Sequence, residues 1–372
     1  MNPMKVLQLV SPGFGGIETF VFNYYKYMDW ERFRFDFLTQ NPALEGAEQY
    51  RDFPYGVHLL KTTAGQNKDL FVRRIREIFE SGYEVLHLNN CFWTGFLLEE
   101  LAREAGIRKV IVHSHSTFID EPDEVKRAEL LRRHEEVKEA FSPELATDFW
   151  ACSSLAADWL FGPQIPRDRI RMVKNAIDVE KYRFQAEKRA AVRQELGLEG
   201  SFVLGTVGRM SYPKNHAFLI SLFAEFHQAH PRSKLMIVGD GELREALTEQ
   251  VLSRNLEGAV LLLGWRTDVE AYLQAMDMFL LPSRFEGLGI VAVEAAASGL
   301  PCVVSSQVPG DVAFAENIWH RPLEIPVWLS AVEELASREY DRNSGLEAVR
   351  AAGYDIRRQA KVLEDLYAGS GG

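Results

Sequence analysis

Pro282-Ser283-Arg284-Phe285-Glu286-Gly287-Leu288-Gly289-Ile290, running on through Val291-Ala292-Val293-Glu294-Ala295-Ala296-Ala297-Ser298-Gly299-Leu300-Pro301, decides the fold. An apolar run, Met278 to Leu281, precedes it and another, Cys302 to Val304, follows, so the segment reads as strand, glycine loop, helix, strand. That order is the repeating unit of a parallel sheet covered by helices. A glycine loop entering a helix presents backbone N–H groups and the positive end of the helix dipole, which suits a phosphate or a sugar hydroxyl. Gly287 and Gly289 permit close approach of a ligand to the backbone. Glu286 stands at the loop's mouth and Glu294 two helical turns later, a spacing that lets both carboxylates address one side of a cleft. As paired acceptors they suit a polyhydroxylated ligand. The competing reading makes Glu286 a helix cap and Glu294 an exposed helix former. Against it, Glu294 interrupts the apolar run Ile290 to Ala297, where a surface residue is out of place.

Working outward, the same alternation extends in both directions. Strands are expected at Phe202 to Val207, Lys234 to Val238 and Val260 to Leu263, with helices at Asn215 to Gln228, Leu243 to Ser253, Val269 to Ala275 and Leu288 to Ala297. An earlier series starts with Lys5 to Val10 and a helix from about Ile17 to Met28. It continues with strands at Arg34 to Leu38, Val57 to Leu60, Glu84 to Leu88, Lys109 to His113 and Phe149 to Cys152. Ile170 to Asp178 reads as a closing strand and turn, and the charged run Glu180 to Arg193 then changes the composition. The expected architecture is therefore α/β, two Rossmann-like domains facing across a cleft, 1–184 and 185–355, with a last helical segment in 356–372. No short repeat or low-complexity stretch suggests a solenoid or propeller.

Further candidates sit where doubly wound sheets hold ligands, at the carboxyl ends of strands. Gly15 and Gly16 lie between the first strand and its helix. Gly13, Gly15 and Gly16 do not make G-x-G-x-x-G, and no ribose-binding acid follows at the usual distance, which disfavours an oxidoreductase. His113-Ser114-His115-Ser116 follows Val110-Ile111-Val112, where a histidine can bind a sugar hydroxyl or cap a loop; a metal site would need ligands that are not evident. Asn89, after another strand, is a candidate acceptor or sugar contact beside His115. Arg209 and Lys214 follow the strand Phe202 to Val207 and would stabilise charge on a departing nucleotide, or be merely solvated. Trp265 and Arg266 follow a strand; Trp265 either packs on a base or belongs to the core.

The glutamates in E-x7-E, within P-S-R-F-E-G-L-G…E-A…S-G-L-P, resemble the signature of the retaining family-4-type glycosyltransferases of GT-B fold. The likeness continues through Gly205 to Arg209, Lys214-Asn215, Val238 to Gly241, Gly264 to Arg266, Ala275 to Asp277, Lys174 to Asp178 and Gly15 to Glu18. The region from Val308 to Trp328 is most similar to exopolysaccharide-type enzymes. The resemblance implies that Glu294 binds the donor ribose, Glu286 the transferred sugar, amides near Leu288 the phosphates, Arg209 and Lys214 the diphosphate, and Trp265-Arg266 the base, with His113 as the active-site histidine. It implies that the domain 1–184 takes the acceptor and 185–355 the nucleotide-sugar, and that the helix 356–372 packs back on the first. The chemistry it implies is metal-independent transfer of a hexose from a nucleotide-diphosphate sugar, a UDP-sugar by commonest usage, to a glycan or lipid-linked acceptor in cell-surface polysaccharide synthesis. The nucleotide-sugar is a substrate and no cofactor is called for. Attack from the leaving-group side would dispense with a covalent intermediate. A sugar-nucleotide epimerase, a phosphorylase of the same fold and a non-catalytic nucleotide-sugar-binding protein are the alternatives.

Composition sets outer bounds. The 372 residues are 47% apolar and 26% charged, the balance of a folded globular chain. A net charge of −11 disfavours nucleic acid as a partner. Cys91, Cys152 and Cys302 are too dispersed for a zinc knuckle or disulfide framework. No apolar run approaches the ~20 residues that span a bilayer, and no leader pattern opens the chain, so a cytoplasmic location is expected. The helix from Val125 to Ala140 mixes Lys126, Arg127, Arg132 and Arg133 with glutamates; it reads as a solvated face, or as a contact to an acceptor or the inner face of the membrane.

Overall fold

A computed structural model describes residues 2–10, 16–47 and 52–369. These form two compact units, each described by itself: the first holds the chain up to Ala176 together with the stretch from Ile356, and the second runs Ile177–Asp355.

The first unit is built on β1 (Met4–Leu9), β2 (Phe33–Thr39), β3 (Gly56–Leu59), β4 (Val85–Asn90), β5 (Lys109–Ser114), β6 (Asp148–Ala151) and β7 (Ile170–Met172). They form one sheet in the order β3-β2-β1-β4-β5-β6-β7, with every pairing parallel. The second unit repeats the plan with β8 (Phe202–Val207), β9 (Ser233–Val238), β10 (Val260–Gly264), β11 (Met278–Leu281), β12 (Cys302–Ser305) and β13 (Ile318–Arg321), in the order β10-β9-β8-β11-β12-β13. Both sheets thus reverse direction once, between β1 and β4 and between β8 and β11. The central strands are buried on both faces, which explains why Met278-Phe279-Leu280-Leu281 and Cys302-Val303-Val304 carry no polar alternation. The strand β13 escaped the sequence reading because only Ile318 of its four residues is fully buried at the sheet edge, leaving no apolar run to notice.

The charged run beyond Glu180 is not a linker, and the chain passes between units at Ala176–Ile177, ahead of Phe184. Its arginines anchor the second unit. Arg189 and Arg193 pair with Asp277, and Arg189 also donates to the carbonyls of Gln274 and Met276 at 3.0 and 2.7 Å. Arg342 adds bonds to Leu273 and Met276 at 3.1 and 3.0 Å. Together the three arginines satisfy carbonyls at the end of the helix Val269–Ala275, where positive charge meets the negative end of the dipole.

The helix Ile356–Ala368 packs in the first unit. Its Ile356, Ala360, Leu363, Leu366 and Tyr367 join Val6, Phe33, Phe35 and residues of the helix Gly16–Tyr27 in one core. Its last carbonyls are taken by cations: Lys109 Nζ reaches Leu366 O at 2.6 Å and Arg108 reaches Tyr367 O at 3.4 Å. The helix Glu124–Ala140 is capped by Asp123 and carries Arg132–Glu136 and Arg127–Glu124 pairs along a solvated face. No described helix is long and apolar enough to cross a membrane.

Candidate functional site

In the second unit the loops after β8 and β11 lie side by side, because these strands flank the reversal of sheet order where doubly wound folds open a crevice. Lys214 Nζ lies 2.6 Å from Glu286 Oε1, and the same oxygen accepts from Ser283 Oγ at 2.6 Å. Both charged side chains are mostly buried. Arg284 fastens the loops together: its backbone N–H donates to Pro213 O at 2.7 Å, its guanidinium donates to Asn215 Oδ1 at 3.0 Å, and it lies over the Tyr212 ring. The positive φ of Asn215, 54°, turns the chain there into the helix His216–Ala229.

The glycine loop enters its helix later than Leu288. Leu288 is buried, Gly289 adopts φ 85° as the N-cap, and the helix spans Ile290–Ala297. A Cβ on Gly289 would come within 3.1 Å of Val308 Cγ1, so backbone conformation and packing both select glycine. The cap supplies no side-chain acceptor, leaving the helix start to other partners. Gly287 lies in the same turn, between Glu286 and Leu288.

Glu294 is not exposed. It is partly buried on that helix and accepts a hydrogen bond from Tyr182 Oη at 2.7 Å. Burial pushes its carboxyl up to about 7, opposed by the Tyr182 bond and by the cations Lys181 and Lys214. Arg209 stands apart from the Lys214–Glu286 pair, with an exposed guanidinium 3.0 Å from Glu242. Trp265 is 70% exposed, which corrects the reading of it as core. Beside it, Arg266 Nε donates to Tyr272 Oη at 2.9 Å. Beside Arg209 the backbones of two loops touch: a Cβ on Gly239 would fall 2.0 Å from Gly208 O, and one on Gly241 2.5 Å from Met210 O.

In the first unit, the loop after β1 includes Gly15, which lies outside the described residues. Gly16 opens the helix Gly16–Tyr27, and a Cβ on it would meet no described atom within 4 Å. His113 and His115 share the sheet face of His87, Asn89 and Gln8, since Asn89 pairs with His113 and Gln8 with His87 in register. His113 is wholly buried, its Nδ1 3.1 Å from His87 Nε2 and its ring 3.9 Å from that of His115. Asn89 Nδ2 donates to Gln8 Oε1 and to Leu9 O, while its Oδ1 faces His115 Nε2 at 2.9 Å. The loop beyond Asn89 is plugged by Trp93, whose indole donates to Leu160 O at 2.7 Å.

Tyr182, Ser283, Arg284, His87 and Tyr367 were missed by the sequence reading. Ser283 and Arg284 lie inside the quoted stretch and could have been weighed. Tyr182 and Tyr367 meet their partners only through tertiary packing.

Two parallel sheets of reversing order, one of them gathering a lysine, a glycine-capped helix start and two carboxylates at its reversal, define a doubly wound α/β protein of two Rossmann-like halves. Residues 14–181 match Glycosyltransferase Family 4 and residues 188–317 match Glycosyl transferases group 1. EpsF of Bacillus subtilis (strain 168), a glycosyltransferase by name, is 31% identical over 363 residues, 95% of this chain and 93% of the relative. The chain belongs to the family-4-type glycosyltransferases of GT-B fold and is similar to the exopolysaccharide-type enzymes among them. A second relative is UDP-Gal:alpha-D-GlcNAc-diphosphoundecaprenol alpha-1,3-galactosyltransferase of Escherichia coli, 31% identical over 242 residues, 63% of this chain and 60% of the relative. Among solved structures, Anabaena Alr3699/HepE in complex with UDP and glucose superposes with a TM-score of 0.78 at 20% identity, covering 98% of this chain and 99% of that one. A glycosyltransferase from Rickettsia africae ESF-5 superposes with a TM-score of 0.80 at 14% identity, covering 100% of this chain and 99% of that one.

Proposed function

We propose that this glycosyltransferase moves a hexose from a uridine diphosphate sugar to a glycan or lipid-linked acceptor, with retention at the anomeric carbon and without a metal ion, in the synthesis of a cell-surface polysaccharide. The observation that carries the reading is the pairing of Lys214 with Glu286 beside the helix start at Ile290, with Glu294 partly buried on that same helix. A diphosphate needs positive charge and N–H donors, a ribose needs an acceptor for its hydroxyls, and this corner of the second unit has all three.

In the proposed mechanism Glu294 accepts from the ribose hydroxyls and the amides from Leu288 onward bind phosphate oxygens. Lys214 and Arg209 offset the charge that grows on the leaving diphosphate, the task a metal ion performs elsewhere. Glu286 orients the hexose by accepting from its hydroxyls, and Lys214, 2.6 Å away, holds that carboxylate in place. The exposed Trp265 and its neighbour Arg266 offer a face to the base. The incoming hydroxyl attacks from the side of the leaving group, whose phosphate oxygen takes its proton, so neither glutamate forms a bond to sugar. His113, His115 and Asn89 of the first unit contact sugar hydroxyls, and Gly16 leaves room for a ligand at the start of its helix, the task assigned also to Gly15 by sequence. The bilayer face presenting a lipid-linked acceptor would be met peripherally, from the cytoplasm.

The E. coli relative named for a UDP-galactose donor and a diphosphoundecaprenol-linked acceptor supports the donor and acceptor classes, and the UDP complex of the Anabaena protein supports the base. The test is nucleoside diphosphate release from UDP-hexoses with and without a lipid-linked disaccharide acceptor, with the product's anomer read by NMR. Acceptor-dependent release giving a retained anomer supports the proposal. An inverted anomer, or an epimerised donor formed without acceptor, contradicts it.

A further inference from the structure

The first unit contains a directional chain of buried hydrogen bonds that begins on a backbone carbonyl, passes through Tyr367 of the helix Ile356–Ala368 and ends on His113. Asn89 Nδ2 lies 2.9 Å from Leu9 O, which can only accept, so that atom is a donor and the amide's orientation is fixed. The same Nδ2 lies 3.0 Å from Gln8 Oε1, which fixes Gln8 in turn and makes Gln8 Nε2 the donor to Tyr367 Oη at 2.9 Å. The phenol proton of Tyr367 then goes to His87 Nδ1, 2.7 Å away. Burial holds His87 and His113 neutral, far below the usual histidine range, so each ring has one N–H and one bare nitrogen. With Nδ1 accepting, His87 carries its hydrogen on Nε2 and donates to His113 Nδ1 at 3.1 Å. The hydrogen of His113 is left on Nε2, an atom that finds no hydrogen-bond partner among the described residues.

Asn89 sets the neighbouring ring in the opposite sense. Its Oδ1 accepts from His115 Nε2 at 2.9 Å, so the bare nitrogen of His115 is Nδ1, likewise without a hydrogen-bond partner among the described residues. The rings are 3.9 Å apart, with Phe20 packed against both at 5.1 and 5.0 Å. One buried donor and one buried acceptor, both unpartnered among the described residues and on rings 3.9 Å apart, match a hydroxyl group, which both donates and accepts.

We infer that Tyr367 is a positioning residue for the transfer reaction: acting through His87, it fixes His113 as an Nε2–H donor, which together with the Nδ1 acceptor of His115 holds one hydroxyl of a sugar substrate. The inference rests on the functional reading above and adds the part played by the chain's final helix. Without the Tyr367 hydroxyl, His87 is free to place its hydrogen on Nδ1, its Nε2 then accepts from His113, and the open nitrogen of His113 becomes an acceptor beside a second acceptor. The site would then reject the hydroxyl it now fits.

The experiment is long-range ¹H–¹⁵N NMR of the full chain labelled at its nine histidines, with His87 and His113 signals assigned from His87→Gln and His113→Gln, followed by donor kinetics of Tyr367→Phe. The wild-type spectrum is expected to place the hydrogen of both His87 and His113 on Nε2. Tyr367→Phe, which keeps the buried ring, should populate the Nδ1–H form of both and lower kcat/KM roughly tenfold, the size of one lost hydrogen bond in the transition state. Phe35→Leu, which loosens the same core against Tyr367, should leave both tautomers in place and the kinetics nearly unchanged. A wild-type His113 with Nδ1–H overturns the inference without any substrate and leaves the transferase reading standing; so does an unaltered kcat/KM in a Tyr367→Phe protein whose tautomers have switched. Should Tyr367→Phe fail to fold, the wild-type spectrum alone still decides the tautomer. Absence of transfer with every donor would defeat the functional reading and with it the role assigned here, while the spectrum would still report on the chain of bonds.

Discussion

Glu286 and Glu294 stand on one loop-and-helix segment but occupy different electrostatic settings. Glu286 shares one oxygen between Lys214 and Ser283, whereas Glu294 is partly buried with Tyr182 as its hydrogen-bond donor. Replacing Glu286 by Gln or Lys214 by Met should therefore leave a folded protein whose kcat falls by about 10²- to 10³-fold, the usual cost of losing a charge that acts in the transition state; steady-state kinetics beside a thermal melt checks it. Glu294 yields a pH prediction. Its carboxyl titrates near 7 in the folded chain against 4.5 for an unperturbed one, so the folded state holds the proton more tightly. That contribution to stability is present at pH values below 4.5 and is lost as the pH rises to 7, a change of about 3 kcal/mol from this one group. Donor affinity should run the other way, because ribose hydroxyls prefer the ionised acceptor: Kd should fall as the pH rises through 7, and Glu294→Gln should flatten the profile. Tyr182→Phe removes a bond that favours ionisation and should move the midpoint upward. Calorimetric titration between pH 5.5 and 8.5 reads both effects. The two glutamates were legible in the sequence because their relation is local, one loop and two helical turns. Tyr182 was not, since nothing in residues 179–185 signals a partner on a helix that begins at Ile290.

At the scale of elements, the apolar runs gave the central strands and most helices to within a residue or two, because a strand buried on both faces advertises itself by composition. The failures have physical causes. The edge strand β13 lacks an apolar run, the helix expected from Leu288 starts only after Gly289, and the charged run Glu180 to Arg193, noticed only as a change of composition, supplies arginines to helix-end carbonyls. Loop glycines also separate into two kinds that a sequence cannot distinguish. Gly239, at φ 139°, has the Gly208 carbonyl where a Cβ would go, whereas Gly258 has open space around it. Gly239→Ala should cost roughly 3 kcal/mol or more and Gly258→Ala stay within about 0.5 kcal/mol, read from urea unfolding midpoints.

At the scale of the whole chain, two units of like topology are each assembled from their own sheet, and the first recruits the final helix to complete its core. Ending the chain at Asp355 would strip Ile356, Leu363, Leu366 and Tyr367 from that core, so hydrogen exchange should show protection lost across β1 to β7 and retained across β8 to β13. If Lys214, Arg209 and the helix start carry the leaving-group charge, then excess EDTA should leave turnover unchanged, whereas a metal-dependent enzyme would stop. The central claim is that the corner where β8 and β11 part is a nucleotide-sugar donor site, and the most direct test is calorimetric titration of the purified chain with uridine, guanosine and adenosine diphosphate sugars, repeated on Glu294→Ala. The account predicts that a uridine diphosphate sugar binds and that its affinity falls at least tenfold in the variant. Failure of every donor to bind, or equal binding by wild type and a folded Glu294→Ala, would contradict it.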